Sequence, residues 1–130
     1  MRVYKAEKRG ALLIIRAFIE GTSGKAYPKL LLDTGSAYTL ISQEILESIG
    51  CSPALPTRTQ RIITGSSYEI VPVVSVNQFH CLGSLLENFE IFAHTLPFGA
   101  YVDGLLGMDF LTKFEIEIRL YSGEILIRGG

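Results

Sequence analysis

Leu30-Leu31-Leu32-Asp33-Thr34-Gly35-Ser36-Ala37-Tyr38-Thr39-Leu40-Ile41-Ser42 is the stretch from which the rest of the chain can be read. Three consecutive leucines signal a buried strand, an ionisable residue stands where that strand ends, and the chain turns apolar again at Leu40-Ile41. Asp and Gly are ordinary turn residues, so this triplet taken alone describes a turn. What it does beyond turning has to come from its surroundings.

Outward from this stretch, Val3 to Glu7, Ala11 to Glu20, Lys29 to Asp33, Tyr38 to Ser42, Gln60 to Thr64 and Tyr68 to Val76 are rich in β-branched, aromatic and aliphatic residues between Gly, Pro or Ser clusters. They predict strands. Leu86 to His94 alternates in part and Glu115 to Leu120 alternates cleanly, with Tyr121-Ser122-Gly123 turning into a last strand, Glu124 to Arg128. Ser42 is placed to cap a short helix over Gln43 to Ile49 that Gly50 ends, and a second short helix is expected over Met108 to Lys113 after Gly107. The 130 residues make about one domain. Residues 1–130 therefore read as a single mostly β domain, with so many short strands that a barrel or sandwich is expected rather than βαβ units.

Composition narrows the function. Twelve Lys plus Arg against thirteen Asp plus Glu leave a net charge of -1, which offers no field to draw in nucleic acid or an anionic membrane. No apolar run approaches the roughly 18 residues of a membrane span, and Arg16 cuts the run Ala11 to Ile15 below the length a signal peptide needs. Cys51 and Cys81 form neither a C-x-x-C pair nor a disulfide ladder, so a reducing, cytoplasmic setting is expected. His80 and Cys81, adjacent on a strand, face opposite ways and cannot share a metal, and no metal site is expected. G-x-S-x-G, G-x-G-x-x-G, a Walker loop and H-E-x-x-H are all absent from the sequence.

Seventy residues after Asp33 comes Asp103-Gly104-Leu105-Leu106-Gly107-Met108-Asp109-Phe110-Leu111, two apolar residues and a Gly leading into a short helix. With Leu31 to Ser42 and a hairpin around Gly65, this combination resembles the retropepsin-like aspartic proteases, most closely their single-domain soluble members. The resemblance covers about residues 10 to 128 in order and spacing. It implies a closed β barrel of the acid-protease type with one or two short helices, in which Asp33, Thr34 and Gly35 are the catalytic triplet. Leu105, Leu106 and Gly107 would pack beneath Asp33. Gly35, lacking Cβ, would leave room near the carboxylate, and Thr34 would reach across to a partner loop. Ser36 can donate its hydroxyl to Asp33, which would favour the charged carboxylate and move activity towards acid.

The implied chemistry is peptide-bond hydrolysis without a cofactor, by a water held between two carboxyls, one ionised and one neutral. The chain has one such triplet, and Asp103 and Asp109 read as a turn residue and a helix first-turn charge. A homodimer is therefore expected, with a peptide or protein substrate. The hairpin Arg61 to Val71, with Thr64, Gly65, Ser66 and Ser67 at its tip and Tyr68 beside them, matches the family's substrate-covering flap. Two alternatives stay open from the sequence alone: a catalytically silent module of the same fold that binds peptide or dimerises, and a hydrolase using Cys51 or Cys81.

Overall fold

The computed structural model describes residues 1–95 and 101–129. Its strands are β1 (Arg2–Lys5), β2 (Glu7–Arg9), β3 (Leu12–Arg16), β4 (Phe18–Glu20), β5 (Lys25–Ala26), β6 (Lys29–Leu32), β7 (Leu40–Ile41), β8 (Arg58–Thr64), β9 (Ser67–Cys81), β10 (Ser84–Ala93), β11 (Gly104–Leu106), β12 (Glu115–Arg119) and β13 (Glu124–Arg128). Two helices interrupt them, α1 (Gln43–Ser48) and α2 (Met108–Leu111). The fold is mostly β, as expected.

The expected closed barrel is not formed. Ten strands join in one sheet whose main path runs β2-β3-β6-β11-β7-β10-β9-β4-β5, with β8 added on β9, and its ends β2 and β5 do not meet. The ends explain this: β2 is Glu7-Lys8-Arg9, exposed throughout, and a charged edge resists further pairing. β5 has two residues and is followed at once by Tyr27 and by Pro28, which has no N–H to extend a ladder. A separate three-stranded sheet has the order β1-β13-β12.

Crossing of chain segments at β11 shapes the middle of the large sheet. β11 lies between β6, which it pairs in parallel (Leu31 with Leu105, Leu32 with Leu106), and β7, which it pairs antiparallel (Leu40 with Leu105). The chain from Asp33 to Thr39 must therefore pass over the C-terminal end of β11 to get from one neighbour to the other. A glycine makes that passage possible: a Cβ on Gly107 would run into the Tyr38 carbonyl and come within 3.0 Å of the Ser36 carbonyl oxygen. Gly104 answers a similar constraint at the start of β11, where a Cβ would strike the Leu40 carbonyl of the neighbouring β7.

The core fills behind this crossing. Phe79 and Phe110 are fully buried, with ring centroids 5.5 Å apart, and Phe89 and Phe114 pack on them at 4.8 and 5.0 Å. Two such turn-length helices have little stability of their own. Burial of Leu46, and of Phe110 and Leu111, is what holds them. Ser42 caps α1 as expected, accepting from the Ile45 N–H at 3.4 Å, and Gly50 follows the helix at φ +85°.

Candidate active site

Asp33 leaves β6 with its backbone N–H bonded to the Leu106 carbonyl at 3.1 Å, so β11 fixes the start of the loop. Its carbonyl accepts from the Ser36 N–H at 3.2 Å, closing a turn, and its Oδ1 accepts from the Gly35 N–H at 2.9 Å. Asp33 is half-buried, Thr34 and Gly35 are exposed, and among the described residues the other carboxylate oxygen has no protein partner. The expectation for Gly35 holds in part: a Cβ there would lie 3.3 Å from Asp33 Oδ1, crowding the carboxylate. Its φ is not in the left-handed region, so the turn itself does not require a glycine.

Ser36 does not do what the sequence suggested. Its hydroxyl donates to the Tyr38 carbonyl at 2.8 Å, within the loop, rather than to Asp33. The reason is the loop's path, which carries Ser36 past the carboxylate and against Gly107, where the Ser36 carbonyl accepts from the Met108 N–H at 2.8 Å. Leu105 and Leu106 pair with Leu31 and Leu32 in the β6–β11 ladder, and the Leu106 carbonyl accepts from the Asp33 N–H, with Gly107 next in the chain.

The support for the loop includes a pair that sequence reasoning missed. Thr39 is the one buried polar residue among those described, at 0% exposure. Its N–H and hydroxyl both donate to the Asp109 carboxylate, at 2.9 and 2.7 Å, and its hydroxyl oxygen accepts from the Gly107 N–H at 3.1 Å. Asp109 also accepts from the Phe110 N–H at 2.8 Å, so its helix-start role is only part of its work. Asp103 is similarly occupied: Oδ2 accepts from the Lys29 N–H at 2.8 Å, and its backbone bonds Lys29 and Ser42. An aspartate lodged between Gly107-Met108 and buried Phe110 was the available signal, since a carboxylate in such company needs donors.

Asp33 and Thr34 line one side of a groove of about 260 Å³ whose other walls are apolar, from Ala11, Leu12, Leu13, Leu31, Leu32, Ile118 and Leu120. A larger cleft of about 450 Å³, lined by Tyr4, Ile15, Phe18, Cys81 and Ile125 among others, has none of Asp33, Thr34 and Gly35 in its wall. The expected hairpin is present: β8 and β9 pair from Arg58–Val73 to Thr64–Ser67, and Gly65 takes φ +58° in the tight turn with Ser66. Ser66, Ser67 and Tyr68 are exposed, and Ile63, Tyr68 and Ile70 stand on one face of the hairpin at 80%, 56% and 58% exposure. The Arg61 guanidinium lies 4.5 Å from the Tyr68 ring centroid. None of Gly65, Ser66, Ser67 and Tyr68 lines the groove at Asp33.

The residues set aside by the sequence also find places. His80 is exposed and Cys81 buried on successive positions of β9, facing opposite ways as expected. His94 Nε2 sits 3.2 Å from Glu69 of β9. Burial pushes the Cys81 thiol up to about 12, against a smaller opposing effect of the Leu82 backbone. That is the reverse of a nucleophile's environment. Among the described residues, no helix is long and apolar enough to cross a membrane.

Comparison with known proteins follows the same lines. A family model described as aspartyl protease matches residues 19–110, which take in the Asp33 loop, the hairpin and Asp109. The crystal structure of a retropepsin-like aspartic protease from Rickettsia conorii is similar at a TM-score of 0.72, covering 98% of this chain and 92% of that one at 19% identity, a likeness of fold. No curated protein matches the sequence. With 92 of 130 residues inside the family model and Asp33-Thr34-Gly35 among them, the chain belongs to the aspartyl protease family and has a retropepsin-like fold.

Proposed function

We propose that the protein is an aspartic endopeptidase whose site is assembled from the Asp33 carboxyls of two identical chains. One observation carries the reading: of the three aspartates, Asp33 alone lines the apolar groove beside β6, with one carboxylate oxygen that has no protein partner among the described residues, while Asp109 is held by Thr39 and the Phe110 N–H and Asp103 Oδ2 by the Lys29 N–H. Hydrolysis by a carboxyl pair needs a second copy of that group, and a symmetric dimer is the commonest closed assembly.

In this mechanism the ionised Asp33 accepts a proton from a water as it attacks the scissile carbonyl. The neutral one donates a hydrogen bond to the carbonyl oxygen. Two carboxyls held together cannot both ionise easily, so one proton is retained and the pair titrates as a unit; aspartic proteases in general illustrate this effect. Collapse of the tetrahedral intermediate sends a proton to the leaving amine. The Gly35 N–H at Oδ1 orients each carboxylate, and the Leu106 carbonyl fixes the loop behind it. Exposed Thr34 is placed to bond the other subunit's loop, and the hairpin carrying Gly65 and Tyr68 covers the substrate, whose extended backbone binds beneath it with apolar side chains in the groove. The test is cleavage of a mixed peptide library by wild type beside Asp33→Asn. Wild-type cleavage that the variant lacks, with folding unchanged, supports the reading. Cleavage by Asp33→Asn at the wild-type rate removes Asp33 from the reaction.

A further inference from the structure

We infer that the open seam of the large sheet is a second binding site, for an aliphatic carboxylate whose tail enters the cleft and whose head is held by Arg16 and Lys29. The site is separate from the one at Asp33, and the inference stands whether or not that site cleaves peptide.

The seam follows from the order of the strands. Ala17 alone joins β3 to β4, yet β3 lies beside β2 and β6 towards one end of the sheet and β4 beside β5 and β9 towards the other. The two ends come together at this link without pairing, and the Ala17 N–H goes to the Pro28 carbonyl at 3.0 Å. The cleft of about 450 Å³ lies here: Glu7, Ile14 and Arg16 line it from one end of the sheet, and Phe18, His80 and Cys81 from the other. It shares no lining residue with the groove at Asp33.

The lining is sorted by depth. Ile14, Ile15, Ala17, Cys81, Leu82 and Ile125 are all buried, whereas Lys5, Arg16 and His80 are exposed and Lys29 is half-buried. Apolar walls with cations at the mouth fit a ligand that has an apolar body and one anionic end. The sign is local, because the whole chain carries -1 while Lys5, Arg16 and Lys29 meet a single acid, Glu7, in the cleft wall. Glu7 is already occupied, 3.7 Å from Arg9 Nε and 3.9 Å from Lys29 Nζ. Lys5 and Arg16 have no acidic partner among the described residues.

Arg16 and Lys29 select the head group. They are direct cross-strand partners on β3 and β6, so their side chains share a face, and like charges placed opposite each other destabilise a ladder. A carboxylate between them turns that repulsion into two attractions, and the planar guanidinium offers a fork that matches two carboxylate oxygens. Arg16 Nη1 donates to the Tyr27 carbonyl at 2.8 Å, which holds the fork and leaves its other N–H groups for a ligand. A polypeptide fits less well. β3 and β4 each pair with a strand on either side, so the seam has no strand edge to give a main chain, and peptide groups against the apolar walls would lack partners.

Calorimetric titration of the whole chain with dodecanoate, below its micelle-forming concentration, tests this. One saturable site is expected. Arg16→Gln and Lys29→Gln should each weaken it by about tenfold or more, the loss of a charge-assisted hydrogen bond, while Lys113→Gln, a cation outside the cleft, leaves it unchanged. Dodecyltrimethylammonium, with the same tail and the opposite charge, should not bind. Methyl resonances locate the tail independently of any variant: those of Ile14, Leu82 and Ile125 should shift, and those of Leu31 and Leu120 at the Asp33 groove should not. A Kd above about 1 mM, wild-type affinity in both cleft variants, equal binding of the cationic amphiphile, or shifts confined to Leu31 and Leu120 would each overturn the inference.

Discussion

Removing the Thr39 hydroxyl should cost more than any other single-atom change near the candidate site. Thr39→Val keeps the shape of the side chain and deletes the oxygen that donates to Asp109 at 2.7 Å and accepts from the Gly107 N–H at 3.1 Å. The first bond, to a charged acceptor, is worth about 1.5–3 kcal/mol, and the stranded Gly107 N–H, buried under the Tyr38 carbonyl, costs about 1–3 kcal/mol. Both contacts share one oxygen and relax together, so about 2–4 kcal/mol is the expected loss, set against a total stability of about 5–15 kcal/mol. At about 4 °C per kcal/mol for a chain of this size, the melting temperature should fall by about 8–16 °C. Urea unfolding of wild type, Thr39→Val and Thr39→Ser measures it. Serine keeps the hydroxyl and should recover most of the loss. Valine within about 0.5 kcal/mol of wild type, or serine as damaging as valine, would refute the claim that the Thr39–Asp109 pair braces the loop.

Ser36→Ala should leave the pH profile of peptide cleavage where wild type has it and lower stability by about 0.5–1.5 kcal/mol, because the hydroxyl serves the Tyr38 carbonyl and not Asp33. A profile displaced to higher pH would show that Ser36 donates to the carboxylate after all. Cys81, buried and with its thiol pushed up to about 12, should resist iodoacetamide at pH 8 in the folded protein and react once denaturant exposes it. Rapid labelling of Cys81 in the native state, located by mass spectrometry, would contradict that environment.

What could be read from residues alone was what local chemistry controls. The Ser42 cap, the Gly50 stop, the leucines before Asp33 and the Tyr121-Ser122-Gly123 turn each act within a few positions, and each stands where it was expected. Boundaries moved where a distant partner decided them. The segment Ala11 to Glu20 breaks at Ala17, whose N–H is bonded to the Pro28 carbonyl, and β9 runs on to Cys81 because β4 and β10 both pair with its second half. The turn between β9 and β10 was hidden because its first residue is Leu82, at φ +51°, where an Asn or Gly would have announced it. β11 is three residues long, and only its parallel pairing with β6 makes it a strand. The same division holds at the site. Asp33, Thr34 and Gly35 are adjacent and legible, while Thr39 and Asp109 meet across seventy positions of chain, and no local pattern reports such a contact. Barrel closure failed for a related reason, since it depends on whether two remote edges, β2 and β5, can pair.

The central claim is that two Asp33 carboxyls act together, and mixing tests it most directly. A fixed amount of wild type is titrated with Asp33→Asn under conditions of subunit exchange, and peptide cleavage is followed beside the sedimentation of the mixture. A site shared between chains predicts that activity falls in proportion to the wild-type homodimer as excess variant draws wild-type chains into mixed pairs, and that activity of wild type alone vanishes on dilution into monomer. Activity that is unchanged by excess variant in mixed dimers, or that persists at constant specific rate in a species sedimenting as monomer, would contradict the shared pair.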